Sequence, residues 1–435
     1  MMNLLLNALL CSAITVALVQ PTEAENKVLV TLDGTNGQDV ATSLIQAGDG
    51  NLYGTTAFGG ANNKGTVFRL TPKGKYTVLY GFCSQANCTD GAGGEWLTQG
   101  SDGNFYGQTN SGGNADQGTI FEITPSGQLT TLYSFCSQSN CTDGAQPWSQ
   151  LVQTSDGSFY GTTIGGGANG KGTVFKFVPG SAPTILHSFC EKSGCSDGSA
   201  PYVGLTLASD GNFYGVTAEG GNDAATCPIQ SYGCGTVFRI SPSGSLKTLY
   251  TFCTQSGCPD GQIPQGQLIQ ATDGDLYGTT DGGGSANQGT VFRITLEGKL
   301  ATIHDFCTGN CSDGALPYAG VIQAKNGDFY GTTGLGNNIY QLTSKGEFAN
   351  VWYRGGVTEI EAAVLQASDG KLYGGTINGG GNANCNEGCG TIFVTSTKVE
   401  PNATKFGRVS EPPGAIRAEM ARSASLVSPL GVPQR

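Results

Sequence analysis

The chain has 435 residues, of which 70 are glycine and only 13% are charged. Its formal charge of −11 excludes the basic surface that nucleic acid or anionic lipid requires. Short runs of β-branched and aromatic residues, set between Gly, Asp, Asn and Ser with no helical period, exclude a helical fold and predict an all-β one.

In chain order, the first feature is an apolar stretch over residues 4–19. Thr22-Glu23-Ala24 then offers a small-residue cleavage site before Glu25. Residues 1–24 are therefore predicted to be an export signal peptide, although their n-region lacks Lys and Arg. Cys11 follows Leu10, where a lipoprotein signal needs a small residue, and is read as an incidental residue of the signal. The stretch is too short and too early to span a membrane in the mature chain.

A phrase then repeats seven times: DGNLYGTT at residues 49–56, DGNFYGQT at 102–109, DGSFYGTT at 156–163, DGNFYGVT at 210–217, DGDLYGTT at 273–280, NGDFYGTT at 326–333 and DGKLYGGT at 369–376. Its tyrosines are Tyr53, Tyr106, Tyr160, Tyr214, Tyr277, Tyr330 and Tyr373, at spacings of 53, 54, 54, 63, 53 and 43. Each unit carries four strand-like runs, here named a to d. In the second unit they cover residues 96–99, 104–109, 118–124 and 129–135. Asp-Gly turns join a to b, and Pro-Ser-Gly turns join c to d; both suit tight reversals. A repeating four-stranded antiparallel unit of about 50 residues predicts a β-propeller blade.

The ends predict how the ring closes. Residues 27–33 read as a d strand that precedes the first a strand, and the last unit stops after its c strand at residues 390–396. The N-terminal d strand should complete the last blade, giving a seven-bladed propeller over residues 27–399 with no open edge. Residues 400–435 lose the periodicity and read as a flexible tail.

With Cys11 set aside, the remaining cysteines form seven local pairs: Cys83 with Cys88, Cys136 with Cys141, Cys190 with Cys195, Cys227 with Cys234, Cys253 with Cys258, Cys307 with Cys311, and Cys385 with Cys389. In an exported chain they read as disulfides, and with only two His and no CxxC no metal is expected. All the pairs fall in d–a or b–c links, which emerge on the same side of the ring. The a–b and c–d turns leave the other face plain. The loop-bearing face is the expected binding surface, because variable loops on a rigid scaffold commonly carry function. The fourth blade has a long b–c link, residues 218–233, and the sixth is stripped down around residues 334–338.

The words DGNFYGTT, GGxxxxGTVF, ITPSG and LYSF followed by DG resemble the Gloeobacter/Verrucomicrobia-type (GloVer) tandem-repeat proteins over residues 27–396. That resemblance implies an exported bacterial propeller and attaches no common activity to it. The strand phrase is also similar to that of sensor-kinase propellers, but no kinase or helical signalling segment follows.

Few residues suit chemistry. His187 and His304 occupy the place that Tyr133 fills in its repeat, so both read as structural, and no Ser-His-Asp system is expected. The Gly runs at residues 165–167 and 282–284 join strand to strand and form no phosphate loop. The Asp of each Asp-Gly pair most simply bonds its own turn. A rim series is read after the d–a Asp-Gly: Trp96, Trp148, Tyr202 and Tyr318, with Gln265 in the equivalent place, suited to stacking on sugar rings or anchoring a protein loop. Packing against the next blade is the alternative for these side chains. For an enzyme, the loop carboxylates Glu95, Asp116, Glu219, Asp223 and Asp281 are the candidate acids and bases. The expected function is an extracellular or periplasmic binding module for a glycan or cell-surface protein, monomeric and without cofactor. A carbohydrate-active hydrolase or lyase and a structural or adhesive surface protein are the alternatives.

Overall fold

The computed structural model describes residues 26–40, 42–221, 227, 233–353, 359–385 and 387–397. The expected signal peptide and tail lie outside these residues, as does Asp223. Seven antiparallel sheets follow one another round a ring, each in the strand order a-b-c-d. Blade 2 is representative, with strands Ala92–Gln99, Phe105–Ser111, Thr119–Ile123 and Leu129–Ser134. The seventh sheet is completed by Lys27–Thr31, which pairs with Thr391–Thr395, so the chain closes its own ring as the repeat count predicts. Blade 5 adds a short strand, Gln262–Pro264, on the same b strand.

All seven cysteine pairs form disulfides: Cys83 to Cys88, Cys136 to Cys141, Cys190 to Cys195, Cys227 to Cys234, Cys253 to Cys258, Cys307 to Cys311, and Cys385 to Cys389. In four d–a links the second cysteine also ties its loop to the b–c link of the blade that follows. The carbonyls of Cys88, Cys141, Cys195 and Cys258 accept the N–H groups of Gly113, Gly167, Gly221 and Gly284, each at 2.9 Å. Cys311 instead accepts Gly314 of its own loop at 3.1 Å, and Cys389, in the b–c link of blade 7, accepts the N–H of Asp39 at 3.0 Å. The sulfurs of Cys234, Cys253 and Cys258 lie within 4.8 Å of one another, but each is already committed to a disulfide. No helix among the described residues is long and apolar enough to cross a membrane. The disulfides are consistent with an extracellular or periplasmic protein.

The repeated phrase holds this ring together in three ways. Its Asp accepts a hydrogen bond from the Tyr hydroxyl four residues on, at 2.8–2.9 Å, in Asp49/Tyr53, Asp102/Tyr106, Asp210/Tyr214, Asp273/Tyr277 and Asp369/Tyr373. The Tyr ring packs on the next blade. Tyr53 meets Phe105, Tyr106 meets Phe159, Tyr160 meets Phe213 and Tyr277 meets Phe329, with centroids 4.1–4.4 Å apart. The Gly after each Tyr leaves room for the phenylalanine of strand c; a Cβ on Gly278 would stand 2.6 Å from Phe292 and 2.7 Å from Leu268. The apolar core is accordingly divided into clusters that each join two neighbouring blades, with Tyr53, Phe105 and Phe121 in one of them.

A further device lies three residues before the turn Asp. Gln46, Gln99, Gln153, Gln270, Gln323 and Gln366 each accept, through Oε1, a backbone N–H from the preceding blade's a–b turn at 2.7–2.9 Å. Each also donates through Nε2 to the Gly carbonyl of its own turn. These struts run round the plain face and cross the closing joint, where Ser368 bonds Gln46. Blade 4 alone has Leu207 in that place, and Leu207 is 40% exposed.

Candidate functional site

The a strands crowd the ring's centre. A Cβ on Gly320 would stand 2.3 Å from the backbone of Gln267 in the previous blade, and one on Gly204 would stand 2.7 Å from that of Gln150. Each a strand is entered from the loop-bearing face through the segment after the d–a Asp-Gly. Four residues after that Gly come Glu95, Trp148, Tyr202, Gln265 and Tyr318. The last four also stand three residues before a buried aliphatic (Leu151, Leu205, Leu268, Val321). In blade 7 the residue at that distance from Val364 is Glu361.

Blade 2 is one residue shorter here, and the pairing of its a and b strands shifts between Gly94 and Leu97. Glu95 stands four residues after Gly91, but its carbonyl accepts from Thr55 as those of Val203, Ala319 and Ala362 accept from the matching threonines, and Trp96 falls directly before Leu97, in the place of Gln150, Gly204, Gln267 and Gly320. The expected aromatic rim is therefore a mixed one. Trp148 is 37% exposed, and Trp96, Tyr202, Gln265 and Tyr318 are half-buried.

Carboxylates converge inside this rim. The charge of Asp39 of blade 1 acts on Glu95 of blade 2, and those of Glu361 and Glu359 of blade 7 act on Asp39. The charge of Glu361 of blade 7 also acts on Asp281 of blade 5, across the intervening blade. Glu95 is 3% exposed, and enclosure pushes its carboxyl up to about 8 against a 2.7 Å hydrogen bond from Asn110, with Asp39 adding to the rise. Enclosure, followed by the charge of Glu361, pushes Asp281 up to about 7. Enclosure and then Glu359 push Glu361 up to about 7 as well. Asp39 is raised well above the usual range, first by enclosure and then by Glu361 and Glu359. Asp39 and Asp281 are half-buried, and the Oδ1 of each is enclosed and has no hydrogen-bond partner.

The other candidate carboxylates stand apart. Asp116 is exposed and caps its own link, accepting the Gly112 N–H at 2.8 Å, as Asn63 and Asn287 do in their blades. Glu219 is half-buried, raised by enclosure, and accepts from Ser199 at 3.4 Å; its charge in turn acts on Tyr202. The histidines have the structural place expected of them. His187 Nε2 lies 3.0 Å from Asp197 and His304 Nε2 3.1 Å from Asp313, where Tyr80, Tyr133 and Tyr250 bond the matching aspartates. Asp39, Glu359 and Glu361 are absent from the sequence candidates. Counting back from the buried aliphatic of the a strand, rather than forward from the Asp-Gly, would have found Glu361.

Fold and site together define a seven-bladed β-propeller with one loop-bearing face and a rim of mixed acidic and aromatic side chains. The Gloeobacter/Verrucomicrobia repeat matches the chain over residues 83–258 and 193–393, and the chain belongs to that family. No curated protein matches it. Among solved structures, it is similar to virginiamycin B lyase from Staphylococcus aureus, in a complex with quinupristin, at 17% identity and a TM-score of 0.58, over 86% of this chain and 99% of the lyase. A streptogramin B lyase is similar at 17% identity and a TM-score of 0.56, over 85% of this chain and 96% of that one. The extracellular domain of a hybrid two-component system from B. thetaiotaomicron is similar at 11% identity and a TM-score of 0.53, over 83% of this chain and 40% of that one. At these identities the likeness shows the propeller fold alone.

Proposed function

We propose that the protein is an exported binding module that takes an extracellular ligand, a glycan or a cell-surface protein, at the rim of its loop-bearing face. One observation carries this reading. The positions that join blade to blade are nearly the same in every repeat, whereas the residue three before the buried aliphatic of strand a changes from Trp148 to Tyr202, Gln265, Tyr318 and Glu361. A side chain that only packed would be expected to repeat with its surroundings. The exposed face of Trp148 suits stacking on a sugar ring or insertion into a partner's pocket.

The test is a binding screen of the purified full chain against polysaccharides, glycans and cell-surface proteins, repeated with Trp148→Ala and Tyr318→Ala. Affinity is expected to fall at least about tenfold in each variant, in the range of an interface anchor, with an unchanged melting temperature. Equal affinity in the variants removes the rim reading. Partner capture that free sugars do not compete points to the adhesive alternative.

A second reading, a hydrolase or lyase, is favoured by Glu95, Asp281 and Glu361, whose raised pKa values suit general acid–base work near neutral pH. Two of the similar structures are of proteins named as lyases. New reducing ends or unsaturated products from a polysaccharide, lost in Asp281→Asn, would support it.

A further inference from the structure

Two of the seven disulfides stand against each other. Cys227–Cys234 staples the b–c link of blade 4, and Cys253–Cys258 closes the d–a link that enters blade 5. The sulfurs of Cys234, Cys253 and Cys258 lie within 4.8 Å of one another, and Cys227 is bonded to the first of them. The sequence sets this joint apart. Cys234 takes the place of Lys64, Gln117, Lys171 and Gln288, and Gln262 that of Ala92, Ala145, Ser199 and Ala315.

Gln262 is fully buried, and its amide is fixed. Nε2 donates to Asn287 Oδ1 at 2.8 Å, and that oxygen also accepts the Gly283 N–H at 3.0 Å. Oε1 therefore faces sulfur, 3.7 Å from Cys227 Sγ, 3.7 Å from Cys234 Sγ and 3.5 Å from Cys258 Sγ. Cys253 Sγ lies 3.9 Å from the Gln255 carbonyl oxygen. A disulfide sulfur has no hydrogen to donate, whereas a thiol has one. In the oxidised chain these oxygens face sulfurs that cannot bond them, and reduction turns each contact into an S–H···O hydrogen bond. Among the described residues, such contacts occur at this joint alone. They suit thiols better than a metal. Zinc is held by thiolates, and an amide oxygen fixed toward three of the sulfurs disfavours that charge.

We infer that the joint between blades 4 and 5 is a thiol–disulfide exchange site, where reduction by an external dithiol moves the surviving disulfide onto Cys234 and Cys258. Cys227 has the largest exposed fraction of the four, 6%, so a thiolate of the dithiol attacks its sulfur and Cys234 leaves as a thiolate. Cys234 then attacks Cys258 and displaces Cys253, which takes up a proton and bonds the Gln255 carbonyl. The second thiol of the reductant closes on the first as a cyclic disulfide and releases Cys227, which takes up the other proton and bonds Gln262. One dithiol is oxidised and one protein disulfide is reduced, with the two protons passing from the dithiol to Cys227 and Cys253. The new bond joins two links that were closed separately, whatever ligand the rim takes.

The experiment equilibrates the folded full chain with limiting dithiothreitol without oxygen, quenches it in acid, alkylates free thiols and maps the pairing by mass spectrometry of non-reduced peptides. The expected product carries alkylated Cys227 and Cys253 and a Cys234–Cys258 cross-link. Cys385–Cys389, which has no cysteine in the d–a link beside it, serves as control and should never re-pair. Gln262→Leu should lower the Cys234–Cys258 fraction about fivefold, as loss of one hydrogen bond does, and the melting curve of the oxidised variant checks its fold. Alkylation of Cys227 and Cys234 together, with Cys253–Cys258 intact, overturns the inference. Reduction of the other disulfides with both of these untouched does so as well, as does a cross-linked fraction that Gln262→Leu leaves unchanged. Added zinc that protects all four cysteines from alkylation in the reduced chain overturns it in favour of a metal.

Discussion

The two faces of the ring treat the same kinds of residue in opposite ways. On the plain face the Asp of five phrases is bonded by the Tyr of its own phrase, and six Gln side chains reach a neighbour's turn, so these polar groups find their partners within the scaffold. On the loop-bearing face Asp39 and Asp281 keep an unbonded oxygen, and carboxylates from several blades crowd together. Satisfied polar groups fix a unique structure, and buried unsatisfied ones are uncommon in native proteins. The contrast teaches that the phrase identifying the family is scaffold, and that ligand chemistry is to be sought where the repeats disagree.

The contrast is broken most severely from the scaffold side. Tyr277 is fully buried, bonds Asp273 at 2.8 Å and stacks on Phe329 of the next blade at 4.1 Å. Tyr277→Ala removes both contacts and leaves a cavity at a blade joint, so it should cost about 4 kcal/mol. Denaturant unfolding measures this. Trp148→Ala, more than a third exposed on the opposite face, should shift the same curve by no more than about 0.5 kcal/mol. Equal losses for the two variants would show that the faces do not divide the work.

The acidic opening should in turn appear in the pH dependence. Glu95 at about 8 and Asp281 and Glu361 at about 7 hold protons in the folded chain that the unfolded chain has already released. A carboxyl raised on folding stabilises fully below its unfolded pKa, near 4, and that contribution is lost as pH rises through the folded value. Stability should therefore fall between about pH 5 and pH 8, by on the order of 2–3 kcal/mol once water in the channel screens the repulsion. Melting curves across that range measure it, and Asp281→Asn with Glu361→Gln should flatten the slope. A wild-type slope that the double variant leaves unchanged would place the titrating groups elsewhere.

The scaffold was legible in the sequence because its determinants are local. Asp49 to Tyr53 is one turn and one strand, and the pattern recurs at nearly constant spacing, so blade count, strand order and ring closure could all be read. The disulfides were legible for the same reason, since Cys83 and Cys88 are five residues apart. The site was less legible because its register depends on pairing between strands. Blade 2 has one residue fewer before Leu97, so a count forward from its Asp-Gly and a count back from Leu97 disagree, and only the pairing of strands a and b, which shifts between Gly94 and Leu97, fixes the place of Glu95 and Trp96. Asp39 and Glu361 belong to links without cysteine and meet only when the ring closes and brings blade 7 against blade 1. Proximity across a ring is a property of the closed fold, not of any segment.

The glutamine struts lie between these cases, repeated in plain sight yet acting across blades, and they provide the smallest and most specific test of the scaffold. At the joint between blades 3 and 4 the strut is missing. Leu207 stands where Gln would accept the N–H of Ser155, the counterpart of Ser209 at the next joint, whose N–H meets Gln270 at 2.8 Å. Leu207 is already 40% exposed, so replacing it sacrifices little apolar burial. Leu207→Gln should therefore add about 1 kcal/mol, the net worth of a hydrogen bond or two at a half-exposed site. Gln270→Leu at the neighbouring joint should remove a similar amount. The two changes lie at different joints and share no partner, so together they should nearly cancel. If Leu207→Gln gains nothing while Gln270→Leu still destabilises, that joint is held open by the surrounding backbone, and the ring is already less uniform on its plain face than the other six joints imply.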